Sequence, residues 1–254
     1  MKAQSERIAM LTAYDYTMAR LVDASGVDMI LVGDSAANVM AGHSTTLPIT
    51  LDQMIYHASS VVRGVQRAFV VVDMPFGSYQ ISRETALASA IRIMKESGAD
   101  AVKIEGGSAV YDAIQGIIEA GIPVVGHLGL TPQSVHQLGG FGLQAKGEAE
   151  AERLLDEAKR LDSLGCCALV LEKIPARLAE RVARSVSTPV IGIGAGAEVD
   201  GQVLVLQDML GMDDSFSPKF LRRFGRVGEA ISQAVEAYVE AVKTSEFPNA
   251  SEAY

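Results

Sequence analysis

The sequence predicts a (β/α)8 TIM barrel in a single α/β domain. Three observations carry that expectation. First, short apolar runs alternate with helix-period segments along the whole chain, giving eight strands and about as many helices. Second, five of those runs deliver an ionisable side chain at or just past their C-terminal end: Asp34, Asp73, Glu105, His127 and Glu172. Parallel strands bring such ends to one face, where the ligand and catalytic sites of these folds lie. Third, 254 residues at 48% hydrophobic are enough for one barrel core. An open doubly wound sheet is the fallback for the same alternation.

Residues 8–12 read as the first strand, and Ala13-Tyr14-Asp15-Tyr16 as its turn. Residues 17–24 form an amphipathic helix stopped by Gly26. The run 29–32 is a buried strand leading into Gly33-Asp34-Ser35. After a loop of small and polar residues, Thr50 caps a helix over 51–63. The third strand ends at Asp73, and Ser82-Arg83-Glu84-Thr85 opens a helix to about Ser97, stopped by Gly98. Residues 101–105 make the fourth strand and 108–120 the following helix. Strand five covers 123–128. The stretch 129–147 breaks the rhythm, and reads either as a functional lid or as a short helix at 132–137 with a glycine-rich tail. A charged helix over 148–164 precedes strand six at 167–172. Pro175 suits the first turn of the next helix, which runs to about Ser185. Strand seven is 190–193, strand eight 202–207, and 221–244 a long closing helix. Residues 1–254 read as one domain, with 245–254 a loose tail.

The formal net charge of −9, without a Lys/Arg block, makes nucleic acid and anionic membrane poor partners. No apolar run approaches the ~20 residues that span a bilayer. The polar N-terminus does not resemble a signal peptide. Two adjacent cysteines, Cys166 and Cys167, suit a reducing cytoplasm better than a structural disulfide, and read as small core residues.

Asp34, Asp73 and Glu105 close successive strands, and neighbouring strands lie ~4.8 Å apart. Three carboxylates there can share one hard cation, Mg²⁺ or Mn²⁺ rather than zinc. Any one of them alone reads as a helix cap or a salt-bridge partner. Lys103 and Glu105 point to the same side of one strand. Lys103 is therefore either an internal ion-pair partner or a clamp for an anionic ligand. His127 is either a satisfied core histidine or a functional group. Partial burial makes a carboxylate a stronger base, which suits Glu172 for proton abstraction, with a salt bridge as the alternative. His57 reads as helix surface, and His43 and His136 as loop residues. Gly-Ile-Gly-Ala-Gly at 192–196 reads as close packing at the barrel mouth rather than a phosphate cradle.

Several stretches together resemble the ketopantoate hydroxymethyltransferase family. They are Thr12-Ala13-Tyr14-Asp15-Tyr16, Val32-Gly33-Asp34-Ser35, Thr46-Leu47-Pro48, Val102-Lys103-Ile104-Glu105-Gly106-Gly107 and Gly126-His127-Leu128-Gly129-Leu130-Thr131-Pro132-Gln133. Leu171-Glu172 with Pro175, and 191–196 with Asp200-Gly201-Gln202, complete the set in family order. Ala36-Ala37-Asn38 and Ser44 depart from the usual family residues.

The resemblance implies a barrel of the phosphoenolpyruvate/pyruvate superfamily and a cytoplasmic, Mg²⁺-dependent transferase of pantothenate biosynthesis. A one-carbon unit would pass from 5,10-methylenetetrahydrofolate to the 2-oxo acid 3-methyl-2-oxobutanoate, giving 2-dehydropantoate. By match, Asp34 and Asp73 would ligate Mg²⁺ with Glu105 beside it. Asp34, Ser35, Asp73 and Lys103 would contact the oxo acid, His127 would hold substrate or product, and Glu172 would accept the proton. A homodecamer of two pentameric rings is the implied assembly. The rival readings are an isocitrate-lyase-like enzyme and a non-catalytic barrel. The first usually carries a Cys after strand four, where this chain has Gly106-Gly107-Ser108.

Overall fold

Eight parallel strands close on themselves in sequence order, β1 pairing with both β2 and β8. The computed structural model describes residues 1–213 and 215–254. These residues fall into two compact units, Met1–Val205 and Leu206–Tyr254. The first holds β1 (Ile8–Thr12), α1 (Tyr16–Ala24), β2 (Met29–Val32), α2 (Ala36–Val39), α3 (Leu51–Gly64), β3 (Phe69–Asp73), α4 (Arg83–Ser97), β4 (Ala101–Glu105), α5 (Tyr111–Glu119), β5 (Val124–Gly129), α6 (Val135–Leu138), α7 (Glu148–Leu164), β6 (Ala168–Glu172), α8 (Ala176–Ser185), β7 (Val190–Ile193) and β8 (Gly201–Leu204). The second holds α9 (Leu206–Met209) and α10 (Val227–Lys243).

Local chemistry sets the helix ends. Thr50 and Gln53 form a reciprocal capping box at the start of α3. Ser82 accepts from Thr85 N at the start of α4, and Gly98 closes that helix at φ 76°. Three elements differ from the sequence expectation. Strand eight stops at Leu204, because the chain turns into α9 at Leu206. The helix expected over 108–120 opens with a 3-10 turn, Ser108–Val110, before α5. The closing helix begins at Val227 rather than Leu221. There Val227 N and Gly228 N donate to Leu210 O and Gly211 O, so the chain before it is committed to the segment after α9.

Two side chains also differ. Cys166 is buried but Cys167 is exposed, so only the first is a core residue; both are free thiols. His57 is half-buried on α3, with Nδ1 2.8 Å from Tyr14 O, rather than on the open surface.

Strand alternation explains both the core and the mouth. Val71, Ala101, Val125, Ala168 and Val170 are buried in the barrel interior. Two residues further along the same inward faces come Asp73, Lys103, His127 and Glu172, with Glu105 one step beyond Lys103. The interior thus changes from apolar to ionisable toward the strand C-termini.

Carboxylates at the opposite strand ends have another task. Asp28, Asp100 and Asp200 precede β2, β4 and β8, and accept from Ala9 N, Val70 N and Val190 N, each at 2.8 Å. Asp162, in α7, accepts at one oxygen from the N–H and hydroxyl of both Ser187 and Thr188, at 2.6–3.1 Å. Burial pushes its carboxyl up, but the Thr188 and Ser187 bonds outweigh this and hold it below the ordinary value. Asp162→Ala is expected to cost ~1.5–3 kcal/mol of stability, the scale of hydrogen bonds to a charged group. A carboxyl with a lowered value stabilises the fold above its unfolded pKa of ~3.9 and loses that contribution as the pH falls through the folded value. The difference between variant and wild type in urea melts should therefore be full at pH 7 and shrink in acid.

Candidate active site at the barrel mouth

Register places the ionisable residues side by side. Asp73 is the strand partner of Lys103, Glu105 of His127, and Gly129 of Glu172. Lys103 Nζ lies 3.1 Å from Asp73 Oδ1 and 3.5 Å from Glu105 Oε1. Glu105 Oε1 is 3.3 Å from His127 Nδ1, and His127 Nε2 is 3.5 Å from Glu172 Oε2. An ionic chain thus crosses the ends of four adjacent strands. Its members are 2–4% exposed except Glu172, whose side chain is 16% exposed.

Asp34 joins the cluster from the turn after β2. Its N–H donates to Asp73 Oδ2 at 3.0 Å. Gly33 leaves room for the Ser35 hydroxyl, since a Cβ there would lie 2.7 Å from Ser35 Oγ. Ser35 begins α2 without capping it, and its hydroxyl pairs instead with Tyr14 OH at 2.8 Å. Gly129, at φ 92°, turns the chain over the end of β6, where a Cβ would strike Glu172 O at 2.3 Å. The close packing of the 192–196 segment is visible at Gly196, where a Cβ would meet Ala176 at 2.4 Å.

The structure thus brings Asp34, Ser35, Asp73, Lys103, Glu105, His127 and Glu172 to one end of the barrel. It adds residues that strand-end reasoning misses. Gln133, buried in the 3-10 turn Pro132–Ser134, donates from Nε2 to Asp34 Oδ2 (2.9 Å) and Met74 O (3.0 Å). Its main-chain N donates to Glu105 Oε2 at 3.0 Å. Tyr79 OH, also buried, donates to Gln133 Oε1 at 2.7 Å. The first half of the 129–147 stretch is therefore a wall of the site. Its second half is tied to the residue after Glu172: Lys173 Nζ donates to Phe141 O, and Gln144 N donates to Lys173 O. His43 and His136 are exposed.

Three carboxylates face one ammonium here. Burial, then the charges of Glu105 and Asp73, hold the Asp34 carboxyl well above the ordinary value. Asp73 is raised by burial and Glu105, against the pull of Lys103. Burial opposes ionised Glu105, but Lys103 and His127 outweigh it and lower its value. Lys103 is raised because Asp73, Glu105 and Asp34 overcome the cost of burial. His127 is likewise raised: burial and Lys103 disfavour its cation, while Glu105 and Glu172 favour it more strongly. A neutral His127 accepts from Lys103 at Nδ1, 3.1 Å away, and turns its Nε2–H toward Glu172.

Among the described residues no three His, Cys, Asp or Glu side chains form a ready-made metal cage. The chemistry of the donors nevertheless fits a hard divalent cation. Among the described residues Asp73 Oδ1 is buried without a well-aligned hydrogen bond and is ion-paired to Lys103, and of the Asp34 carboxylate only Oδ2 is hydrogen-bonded. Mg²⁺ takes one or two carboxylates and fills its remaining positions with water and substrate oxygens.

A closed parallel barrel with an ionic cluster at its C-terminal mouth defines a class of protein, and comparison gives that class a fold type. The chain superposes on phosphoenolpyruvate phosphomutase from Streptomyces platensis subsp. rosaceus with a TM-score of 0.62 at 15% identity, covering 94% of this chain and 84% of that one. It superposes on 2,3-dimethylmalate lyase, a PEP mutase/isocitrate lyase superfamily member, with a TM-score of 0.61 at 15% identity over 95% and 84% of the two chains. The likeness is one of fold, a closed (β/α)8 barrel. Residues 1–250 match the family model for ketopantoate hydroxymethyltransferase. The chain is 64% identical to the 3-methyl-2-oxobutanoate hydroxymethyltransferase of Flavobacterium johnsoniae, across 100% of this chain and 93% of that protein. The chain belongs to the ketopantoate hydroxymethyltransferase family, a family of enzymes.

Proposed function

We propose that this enzyme transfers a hydroxymethyl group from 5,10-methylenetetrahydrofolate to 3-methyl-2-oxobutanoate, giving 2-dehydropantoate for pantothenate biosynthesis. The observation that carries the reading is the ionic chain from Asp73 through Lys103, Glu105 and His127 to Glu172, set on neighbouring strand ends. It combines cationic anchors for a carboxylate-bearing substrate with a carboxylate at the mouth. In this reading Asp34 and Asp73 hold Mg²⁺, with Glu105 beside them, and the bound cation supplies Lewis-acid polarisation of the 2-oxo group.

The protein's own groups do the rest. Lys103, Ser35, His127 and the aspartates Asp34 and Asp73 orient the oxo acid. Glu172 takes the proton from C3, and the Lys103 ammonium favours the negative charge that develops on oxygen. C3 then forms a bond to the methylene carbon of the folate. Overall, one C–H bond and the two C–N bonds of the methylene bridge break, one C–C bond and one C–O bond to a water oxygen form, and the two folate nitrogens take up the C3 proton and one proton of that water.

The unpaired thiols of Cys166 and Cys167 support a reducing, cytoplasmic setting. No helix among the described residues is long and apolar enough to cross a membrane. The homodecamer implied by the family resemblance needs apolar contact surface, and α10 offers some: none of its residues is buried, and Ile231, Val235, Tyr238, Val239 and Val242 recur on one helical face.

The direct test incubates the enzyme with Mg²⁺, 3-methyl-2-oxobutanoate and 5,10-methylenetetrahydrofolate, and follows the product by mass. Formation of 2-dehydropantoate dependent on all three is the expected result. Its absence at every Mg²⁺ concentration overturns the reading.

A further inference from the structure

We propose that Gln133 is a positioning residue for the cation site: Tyr79 fixes its side-chain amide in one orientation, so that it grips one oxygen of Asp34 and leaves the other for the cation. The proposal rests on the reading that Asp34 ligates Mg²⁺.

The chemistry of the neighbours sets the orientation of the amide. Met74 O, 3.0 Å away, is a carbonyl and can only accept, so the amide nitrogen must face it and, on the same side, Asp34 Oδ2 at 2.9 Å. On the other side, Tyr79 OH (2.7 Å) and Gln80 Nε2 (3.2 Å) donate, so the oxygen must face those. Tyr79 is itself oriented: its hydroxyl accepts from Glu105 N at 3.3 Å, and its one proton favours Gln133 Oε1 at 2.7 Å over Glu105 O at 3.3 Å. Burial and the charge of Glu105 hold that phenol protonated, as a donor requires. A relay of three hydrogen bonds therefore runs from Glu105 N through Tyr79 and Gln133 to Asp34.

The separate parts of Gln133 serve separate carboxylates. Its main-chain N–H holds Glu105 Oε2 and survives any substitution, whereas the side chain holds Asp34. An apolar side chain of similar length would fill the same space, so packing alone does not call for an amide. The amide matters if the carboxylate must present one oxygen in a fixed direction, as a monodentate ligand does.

The test measures Mg²⁺ affinity by titration calorimetry on the full-length, substrate-free protein, with thermal unfolding in EDTA as the control for folding. The variants are Gln133→Met, Tyr79→Phe and the double variant. Gln133→Met is expected to raise the Mg²⁺ Kd ~10–100-fold, the usual effect of losing an outer partner of a metal ligand. Tyr79→Phe should raise it by a smaller factor. The double variant should be no worse than Gln133→Met alone, because Tyr79 acts through Gln133; independent contributions would multiply instead. A wild-type Kd in folded Gln133→Met overturns the proposal, and so does a multiplicative double variant. If Gln133→Met does not fold, Tyr79→Phe decides, and an unchanged Kd there overturns it. A wild type that binds no Mg²⁺ refutes the cation reading before any variant is made, and the proposal falls with it.

Discussion

Glu172→Gln is expected to slow exchange of the C3 proton of 3-methyl-2-oxobutanoate by ~10²–10⁴-fold, the usual worth of general-base catalysis. In D₂O with Mg²⁺ and no folate, the wild type should exchange this proton readily, and NMR reads the rate. The loss corresponds to roughly 3–5 kcal/mol of barrier. Geometry singles out Glu172 for this role. It is the one member of the ionic chain with appreciable exposure, 16% for the side chain, so it can meet a substrate arriving at the mouth and return its proton to solvent. Gln keeps the size of the side chain beside His127, whose Nε2 lies 3.5 Å from Glu172 Oε2. Binding of Mg²⁺ and of the oxo acid should survive, because neither depends on Glu172 in the proposed roles. Exchange at the wild-type rate would remove Glu172 as the base and make its neighbour His127 the first candidate. Loss of oxo-acid binding would instead make Glu172 part of the binding site.

The barrel and most of its ionic mouth were legible in the sequence, for a physical reason. A buried parallel strand is a short apolar run, and an ionisable residue at its end stands out against that run. Asp73, Lys103, Glu105, His127 and Glu172 all lie at or near the C-terminal ends of strands, so their common face followed from position alone. Gln133 and Tyr79 were not legible in this way. Both lie between strands and helices, neither residue bears a charge, and their importance comes from contacts 54 to 99 residues distant in sequence. The boundaries that moved are likewise those set by tertiary hydrogen bonds. The start of α10 depends on carbonyls at Leu210 and Gly211, and the environment of His57 on a carbonyl at Tyr14. Carboxylates at strand starts, such as Asp28 and Asp100, carry the same residue type as the site but serve backbone N–H groups. Residue type alone does not separate the two populations; the end of the strand does.

Asp34→Asn should expose a conflict between stability and function. Activity is expected to fall ~10²–10³-fold, the scale of losing one preorganised electrostatic contact to a developing charge. Mg²⁺ affinity should fall with it. The metal-free protein should nevertheless be as stable as the wild type or more so. Asp34 is buried, has no ion pair within 4 Å among the described residues, and feels the charges of Asp73 and Glu105. A carboxyl held above its ordinary value supports the fold only while protonated, and that contribution is lost as the pH rises through the raised value. Asn stays neutral at every pH, and its carbonyl oxygen can accept from Gln133 Nε2 where Asp34 Oδ2 now does. Relief of ~1 kcal/mol would raise the midpoint of thermal unfolding in EDTA by ~2–4 °C for a chain of this size. The gain should appear at neutral pH and vanish in acid, where the wild-type carboxyl is protonated as well. Saturating Mg²⁺ should reverse the order, because a cation that binds only the folded state stabilises the wild type and leaves the variant behind. A fall in the metal-free midpoint at neutral pH would instead make the Asp34 charge a structural element, and would remove the case for reading it as a cation ligand.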